Sequence, residues 1–243
     1  MPKSIALIIG VGAENGIGGA LCKRAQEAGY HVAIVGRTAA KIEAVADTIK
    51  AAGGGASTYL ADVGDEAQML AVFAAVDALE GDLSFVAYNA GGGYRHDTAS
   101  MPAAVFEDVW RVGCLGGFIA GREAATRLAA LGQGTIVFTG ATASIKSRPP
   151  FLAFASAKAG LRAVASGLAR EFGPQGVHVG HVVIDGGVDG AIRRRRIPEH
   201  EETAGKNETL SPTAIAESYW QLHLQHPSAW SFEIDLRPFS EVF

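Results

Sequence analysis

Short apolar runs alternate with helix-periodic stretches along the whole chain. Ile5–Ile9 is continuous, apolar and closed by glycine, which predicts a buried strand. A helix follows over Gly18–Ala28 and stops at Gly29. His31–Val35 reads as a second strand, Ala39–Ala52 as a second helix ended by Gly53-Gly54-Gly55, and Ser57–Leu60 as a third strand. Asp65 stands where an N-cap belongs, ahead of a helix over Glu66–Leu79. Leu83–Ala87 is a fourth strand. From Pro102 a helical pattern runs to about Leu131, interrupted around Gly113–Gly117. Thr135–Phe138 is a fifth strand, Ala155–Phe172 a helix ended by Gly173-Pro174, and Val177–Ile184 a sixth strand. Pro212–Leu224 reads as a last helix and Ala229–Leu236 as a last strand, whose edge needs covering.

Strands spaced by helices of this length predict right-handed crossovers and a parallel sheet with helices on both faces. Continuously apolar strands agree, because a parallel sheet is buried on both sides. The expected fold class is therefore α/β: a Rossmann-type, doubly wound, three-layer α/β/α sheet in a single domain over residues 1–243. The stretch 190–210 breaks the rhythm, being polar and charged, and is expected to form a lid over the site.

Composition narrows the function classes. With 243 residues and 48% hydrophobic content, the chain can bury one large core. A net charge of −4 argues against nucleic acid as main partner. The run Arg193–Arg196 is either a solvated face or a clamp on an anion. Cys22 and Cys114 show no pattern that calls for pairing, which suits a reducing cytoplasm. No stretch approaches the ~20 apolar residues that span a bilayer, and the histidines lack metal-ligand spacing. The expectation is a cytoplasmic protein with a small-molecule substrate, no metal and no membrane partner.

The turn after the first strand reads Gly10-Val11-Gly12-Ala13-Glu14-Asn15-Gly16-Ile17-Gly18 and opens a helix. Glycine allows a tight turn and close approach of backbone to a diphosphate, and the helix start offers unpaired N–H groups to the anion. In that context the pattern predicts a dinucleotide site. The second strand ends at Gly36-Arg37-Thr38. An NAD site usually places a carboxylate there for the ribose 2′-hydroxyl. Arg37 instead supplies a fixed cation suited to a 2′-phosphate, so NADP(H) is favoured over NAD(H).

At these residues the chain resembles the short-chain dehydrogenase/reductase family along nearly its whole length. The family's T-G-x-x-x-G-I-G turn appears over Val11–Gly18, with valine for threonine. Its Asp-Val pair beside the adenine matches Asp62-Val63, its N-A-G matches Asn89-Ala90-Gly91, and its helix lysine matches Lys158. The resemblance implies that Gly12, Asn15, Gly16, Ile17, Gly18, Arg37, Asp62, Val63, Asn89, Ala90, Gly91 and Lys158 hold the cofactor. It also implies a homo-oligomer, dimer or tetramer.

The family's chemistry needs Asn, Ser, Tyr and Lys. Counting along its spacings puts Gly113 at the Asn, Ala141 at the Ser and Phe154 at the Tyr; a branch with the Tyr seven before the Lys meets Phe151. Phenylalanine has no O–H and cannot protonate an alkoxide. Losing a positioned acid typically costs on the order of 10²–10⁴ in rate. The family's P-G-x-V-x-T appears as Asp185-Gly186-Gly187-Val188-Asp189-Gly190, so Val188 can still hold the carboxamide. Asp185 is either a replacement acid or a turn cap. Thr142, Tyr94 and His96 are further candidates, each with an ordinary local reading; Phe151 and Phe154 would line the substrate pocket. The resemblance thus implies an oxidoreductase with a non-standard proton donor and an unknown carbonyl or alcohol substrate. The alternative is an inactive NADP(H)-binding protein, a sensor or partner subunit.

Overall fold

The computed structural model describes residues 4–92, 94–190 and 208–241. Within them seven strands are β1 (Ser4–Ile9), β2 (His31–Gly36), β3 (Ala56–Leu60), β4 (Asp82–Tyr88), β5 (Gly134–Thr139), β6 (Val177–Ile184) and β7 (Glu233–Leu236). All pair in parallel, in the order β3-β2-β1-β4-β5-β6-β7. The chain leaves β1 toward β2 and β3, then returns to the other side of β1 with β4. That reversal opens a crevice beyond the carboxyl ends of β1 and β4, where ligands of such sheets bind.

The connecting helices are α1 (Ile17–Glu27), α2 (Ala39–Ala51), α3 (Glu66–Asp77), α4 (Ala103–Trp110), α5 (Gly116–Leu131), α6 (Leu152–Phe172) and α7 (Pro212–His223). Strand alternation divides the core in two. Ile5, Leu7 and Ile9 of β1 face Phe73, Ile119, Leu128 and Leu161 on the α3, α5 and α6 side. Ala6 and Ile8 face Leu21, Ile42, Ile215 and Trp220 on the α1, α2 and α7 side. Asp65 caps α3, its carboxylate accepting from Gln68 N–H at 3.1 Å.

Three boundaries depart from the sequence reading. α6 begins at Leu152, because the Phe151 carbonyl already accepts from Ala155 N–H at 2.8 Å. Phe154 is therefore a first-turn helix residue. The last strand begins at Glu233 and not at 229: Pro227–Ala229 forms a 3₁₀ turn, and Ser231 N–H bonds to the Gln225 side chain at 2.7 Å. The break in the long helical region is a π turn over Arg111–Leu115, which contains Gly113 but ends ahead of Gly116 and Gly117. Nearly all of the expected lid, including Arg193–Arg196, lies outside the described residues; at its margins Leu210 bridges to Val188. Both cysteines are buried and free. Among the described residues no helix is long and apolar enough to cross a membrane, and no His/Cys/Asp/Glu group could hold a metal ion.

Candidate active site

The glycine turn is built by close backbone contact. Gly10 has φ +90°, and a Cβ there would lie 2.4 Å from Ala90 N. The N–H groups of Gly10 and Val11 both reach Val35 O at 2.9 Å. At Gly36 a Cβ would lie 2.5 Å from Val11 O. These contacts lock the turn to β2 and to the Asn89–Gly91 segment. The α1 start keeps its N–H groups uncommitted to side chains: Gly16 is the N-cap, no side chain caps it, and the first turn holds no acid. A Cβ on Gly12 would meet nothing within 4 Å. An anion-sized ligand fits such a terminus. Arg37 is exposed at the end of β2 and forms no ion pair with a described residue. Asp62 folds back locally, its Oδ1 accepting from Gly64 N–H at 2.9 Å, and Val63 is buried. The Asp185–Gly190 stretch crosses over the turn; a Cβ on Gly190 would lie 3.3 Å from Asn15 O.

A buried polar hub joins this turn to the lysine. Lys158 Nζ donates to Thr139 O at 2.6 Å. The Thr139 hydroxyl donates to Asn89 Oδ1 at 3.0 Å and accepts from the Tyr219 hydroxyl at 2.9 Å. Asn89 Nδ2 in turn donates to Gly10 O at 3.3 Å. Burial pulls the Lys158 amine from its ordinary 10.5 down to about 8 and pushes the Tyr219 hydroxyl up. Nothing in the helical period of α7 marks Tyr219 as a site residue. A tyrosine on the apolar face of a helix does require a polar partner, and that is the signal that could have found it.

The positions expected from the sequence to carry the chemistry lie close together. Phe154 stands beside the amine, with its ring centroid 5.9 Å from Nζ. A Cβ on Gly91 would lie 3.6 Å from Nζ and 3.9 Å from Gly113 Cα, so the loop, the lysine and the π turn converge. Ala141 has no side-chain donor; its N–H donates to Ser144 Oγ at 3.1 Å and its carbonyl accepts from Ser144 N–H at 2.8 Å. Thr142 gives its hydroxyl proton to the Asp185 carboxylate. The other Asp185 oxygen lies 3.3 Å from the Arg237 guanidinium, so the carboxylate is an acceptor twice over. Val188 follows at the β6 exit.

A second buried chain runs behind the 141–144 turn. Ser144 Oγ lies 3.4 Å from His181 Nε2, and His181 Nδ1 lies 2.9 Å from Glu233. Arg162 holds the same carboxylate with contacts of 2.6 and 2.8 Å. A Cβ at Gly140 would sit 2.4 Å from the imidazole, so glycine makes room for the ring. Burial lowers the pKa of His181 despite Glu233. The sequence gives no local sign of this pairing across three strands.

His96 N–H reaches Pro150 O at 3.0 Å, tying the loop after β4 to the loop after β5. Tyr94 stacks on His96 at 6.1 Å, and the Arg95 guanidinium lies 5.5 Å from the Phe151 ring.

A family model described as short chain dehydrogenase matches residues 5–201. The chain is similar to a short-chain dehydrogenase of Rhodopseudomonas palustris of known structure, with 35% identity and a TM-score of 0.82, covering 98% of this chain and 99% of that one. A metagenomic short-chain oxidoreductase, whose crystal structure is a complex with NADP, aligns at 24% identity with a TM-score of 0.81 over 97% of each chain. Galactitol 2-dehydrogenase (L-tagatose-forming) of Cereibacter sphaeroides is 30% identical over 170 residues, 69% of this chain and 66% of that protein.

Proposed function

The chain belongs to the short-chain dehydrogenase family, and we propose that it is an NADP(H)-dependent oxidoreductase whose proton passes through Lys158 in place of a tyrosine. When bound, the nicotinamide supplies the hydride. The α1 N-terminus and the Gly12–Gly18 backbone hold the diphosphate, Arg37 answers the 2′-phosphate, and Asn89–Gly91 with Val188 flank the nicotinamide end. The metagenomic relative bound to NADP supports the nucleotide.

One observation carries the reading: Lys158 is a buried primary amine, beside the positions where the family pattern expects Tyr, Ser and Asn and this chain has Phe154, Ala141 and Gly113. Lys158 has three N–H bonds, and Thr139 O takes one of them. With its pKa near 8 the amine can both give and regain a proton close to neutrality. The substrate is a small carbonyl or alcohol, and the working unit is a homo-oligomer.

A second reading, cofactor binding without turnover, is favoured by the Thr142 hydroxyl being committed to Asp185. The test separates the two. NADPH fluorescence is titrated first, and nicotinamide absorbance is then followed with a panel of aldehydes and ketones. Saturable binding with consumption of NADPH supports the oxidoreductase. Saturable binding without turnover supports the second reading, and absence of binding overturns both.

A further inference from the structure

Aromatic and cationic side chains gather on the loops after β4 and β5 and at the start of α6. Phe151 and Phe154 present rings from the start of α6, and Tyr94 and His96 present a stacked pair from the loop after β4. The His96–Pro150 backbone bond holds the two loops together. Three exposed cations ride on the same loops: Arg95, Lys146 and Arg148. None of the three forms an ion pair with a described residue, and Arg95 lies against Phe151. Two carboxylates are near. Asp185 is held by Arg237 and Thr142, and Asp97 follows His96, which bonds its backbone carbonyl. The cations outnumber the free acid.

Hydroxyl-rich substrates need side-chain acceptors and donors, and on the 141–144 turn those are engaged. Thr142 gives its proton to Asp185, and Ser144 is enclosed between Ala141 N–H and His181. Aromatic faces remain, with guanidinium groups that no described residue pairs. Rings recognise rings, and a guanidinium matches a planar carboxylate with two parallel donors.

We propose that the substrate is an aromatic carbonyl compound bearing a carboxylate, its ring against Phe151 and Phe154 and its anion toward Arg95 and Arg148. This rests on the oxidoreductase reading for its chemistry but not for its recognition. The reaction balances as hydride to the carbonyl carbon and one proton to the oxygen, giving an alcohol and NADP⁺.

The experiment has a binding arm and a turnover arm. Benzoate and benzamide are titrated calorimetrically into the NADP⁺-loaded protein, and NADPH oxidation is compared for 4-carboxybenzaldehyde and benzaldehyde. Benzoate is expected to bind about tenfold tighter than benzamide, and the carboxylated aldehyde to show a KM lower by about the same factor. In the Arg95→Gln, Arg148→Gln double variant both preferences fall to near unity while NADPH affinity holds; Arg95→Lys, as the conservative change, keeps part of them. Equal affinity for benzoate and benzamide, or binding of neither at millimolar concentration, overturns the proposal. Preferential benzoate binding with no aldehyde turnover upholds the recognition site and counts against the oxidoreductase reading. Turnover of both aldehydes at one KM does the reverse.

Discussion

Tyr219 and Thr139 meet hydroxyl to hydroxyl at 2.9 Å in the interior, and that contact ties the last helix to the network that reaches the glycine turn. The Thr139 hydroxyl passes the chain to Asn89, and Asn89 passes it to Gly10. The Thr139 carbonyl meanwhile anchors Lys158. One residue at the tip of β5 thus holds both the group that orients the turn and the buried amine of Lys158.

Tyr219→Phe removes one donor and leaves Thr139 with Asn89, so it is expected to cost about 1 kcal/mol. Thr139→Val orphans both the Tyr219 hydroxyl and Asn89 Oδ1 and is expected to cost more, about 2–3 kcal/mol. Because the two share a bond, the double variant should cost less than the sum. Urea unfolding of the four proteins checks this, and strict additivity would show that the contact carries no coupling.

Burial of the Lys158 amine carries a stability signature. Its folded value, near 8, lies below the ordinary 10.5, so the folded chain releases its proton first as pH rises. The penalty of burying the ammonium is present in full below pH 8 and vanishes by about pH 10.5, with a magnitude of about 3 kcal/mol. Lys158→Met should therefore gain most relative to the parent at pH 7 and lose that relative gain as pH approaches 10. Thermal midpoints at both pH values test it; a gap independent of pH would mean that the amine is not desolvated.

Much of this arrangement was legible in the chain. The continuous apolar run Ile5–Ile9 and its glycine turn specify the first strand and its exit, since no other residue tolerates the Gly10 approach to Ala90. Phe154 and Ala141 were legible as side chains that lack a hydroxyl where the family resemblance expects one. Tyr219, His181 and Glu233 were not legible as partners. Local period says only that a position is buried, while the hydrogen bond that satisfies it crosses from one strand or helix to another. Asp185 is the instructive case. Its place after β6 suggested a replacement acid or a cap, and the structure instead sets it against Arg237 and Thr142.

Arg37 stands exposed just past β2, and the proposed function assigns it to a 2′-phosphate. Arg37→Gln is expected to weaken NADPH about 10- to 100-fold, the effect of a charge-assisted hydrogen bond, and to leave NADH within about twofold. Fluorescence titration with both nucleotides checks this. Equal losses for the two would assign Arg37 to the turn's structure and not to the phosphate.

His223 makes the fold acid-sensitive. Burial, with the nearby His178 charge second, pulls its pKa from 6.5 to about 4. Its ring bonds Tyr30 and Thr135 at 2.9 Å each. The unfolded chain takes the proton near pH 6.5 and the folded chain resists it to about pH 4. Stability is thus full above pH 6.5 and falls by about 3 kcal/mol as pH drops to 4. His223→Gln loses packing at pH 7.5 but lacks this titration, so its deficit should narrow by pH 4.5. An unchanged deficit in urea midpoints would point to another titrating group.

Restoring the missing hydroxyls is the sharpest trial of the site. Phe154 precedes Lys158 by one helical turn and lies 5.9 Å from its amine. A tyrosine there would carry its O–H beyond the ring, and Ala141→Ser would return a donor to the turn after β5. If Lys158 carries the proton unaided, the double variant Phe154→Tyr, Ala141→Ser should reduce a carbonyl substrate about 10²-fold faster, the gain of one positioned acid. The parent's rate should fall above pH 8 as the amine deprotonates, and the variant's profile should shift as the tyrosine takes over. NADPH affinity should not change, because the turn and Arg37 are untouched. An inert variant that binds NADPH normally would show that the pocket cannot place a carbonyl beside the nicotinamide, and the non-catalytic reading would then stand.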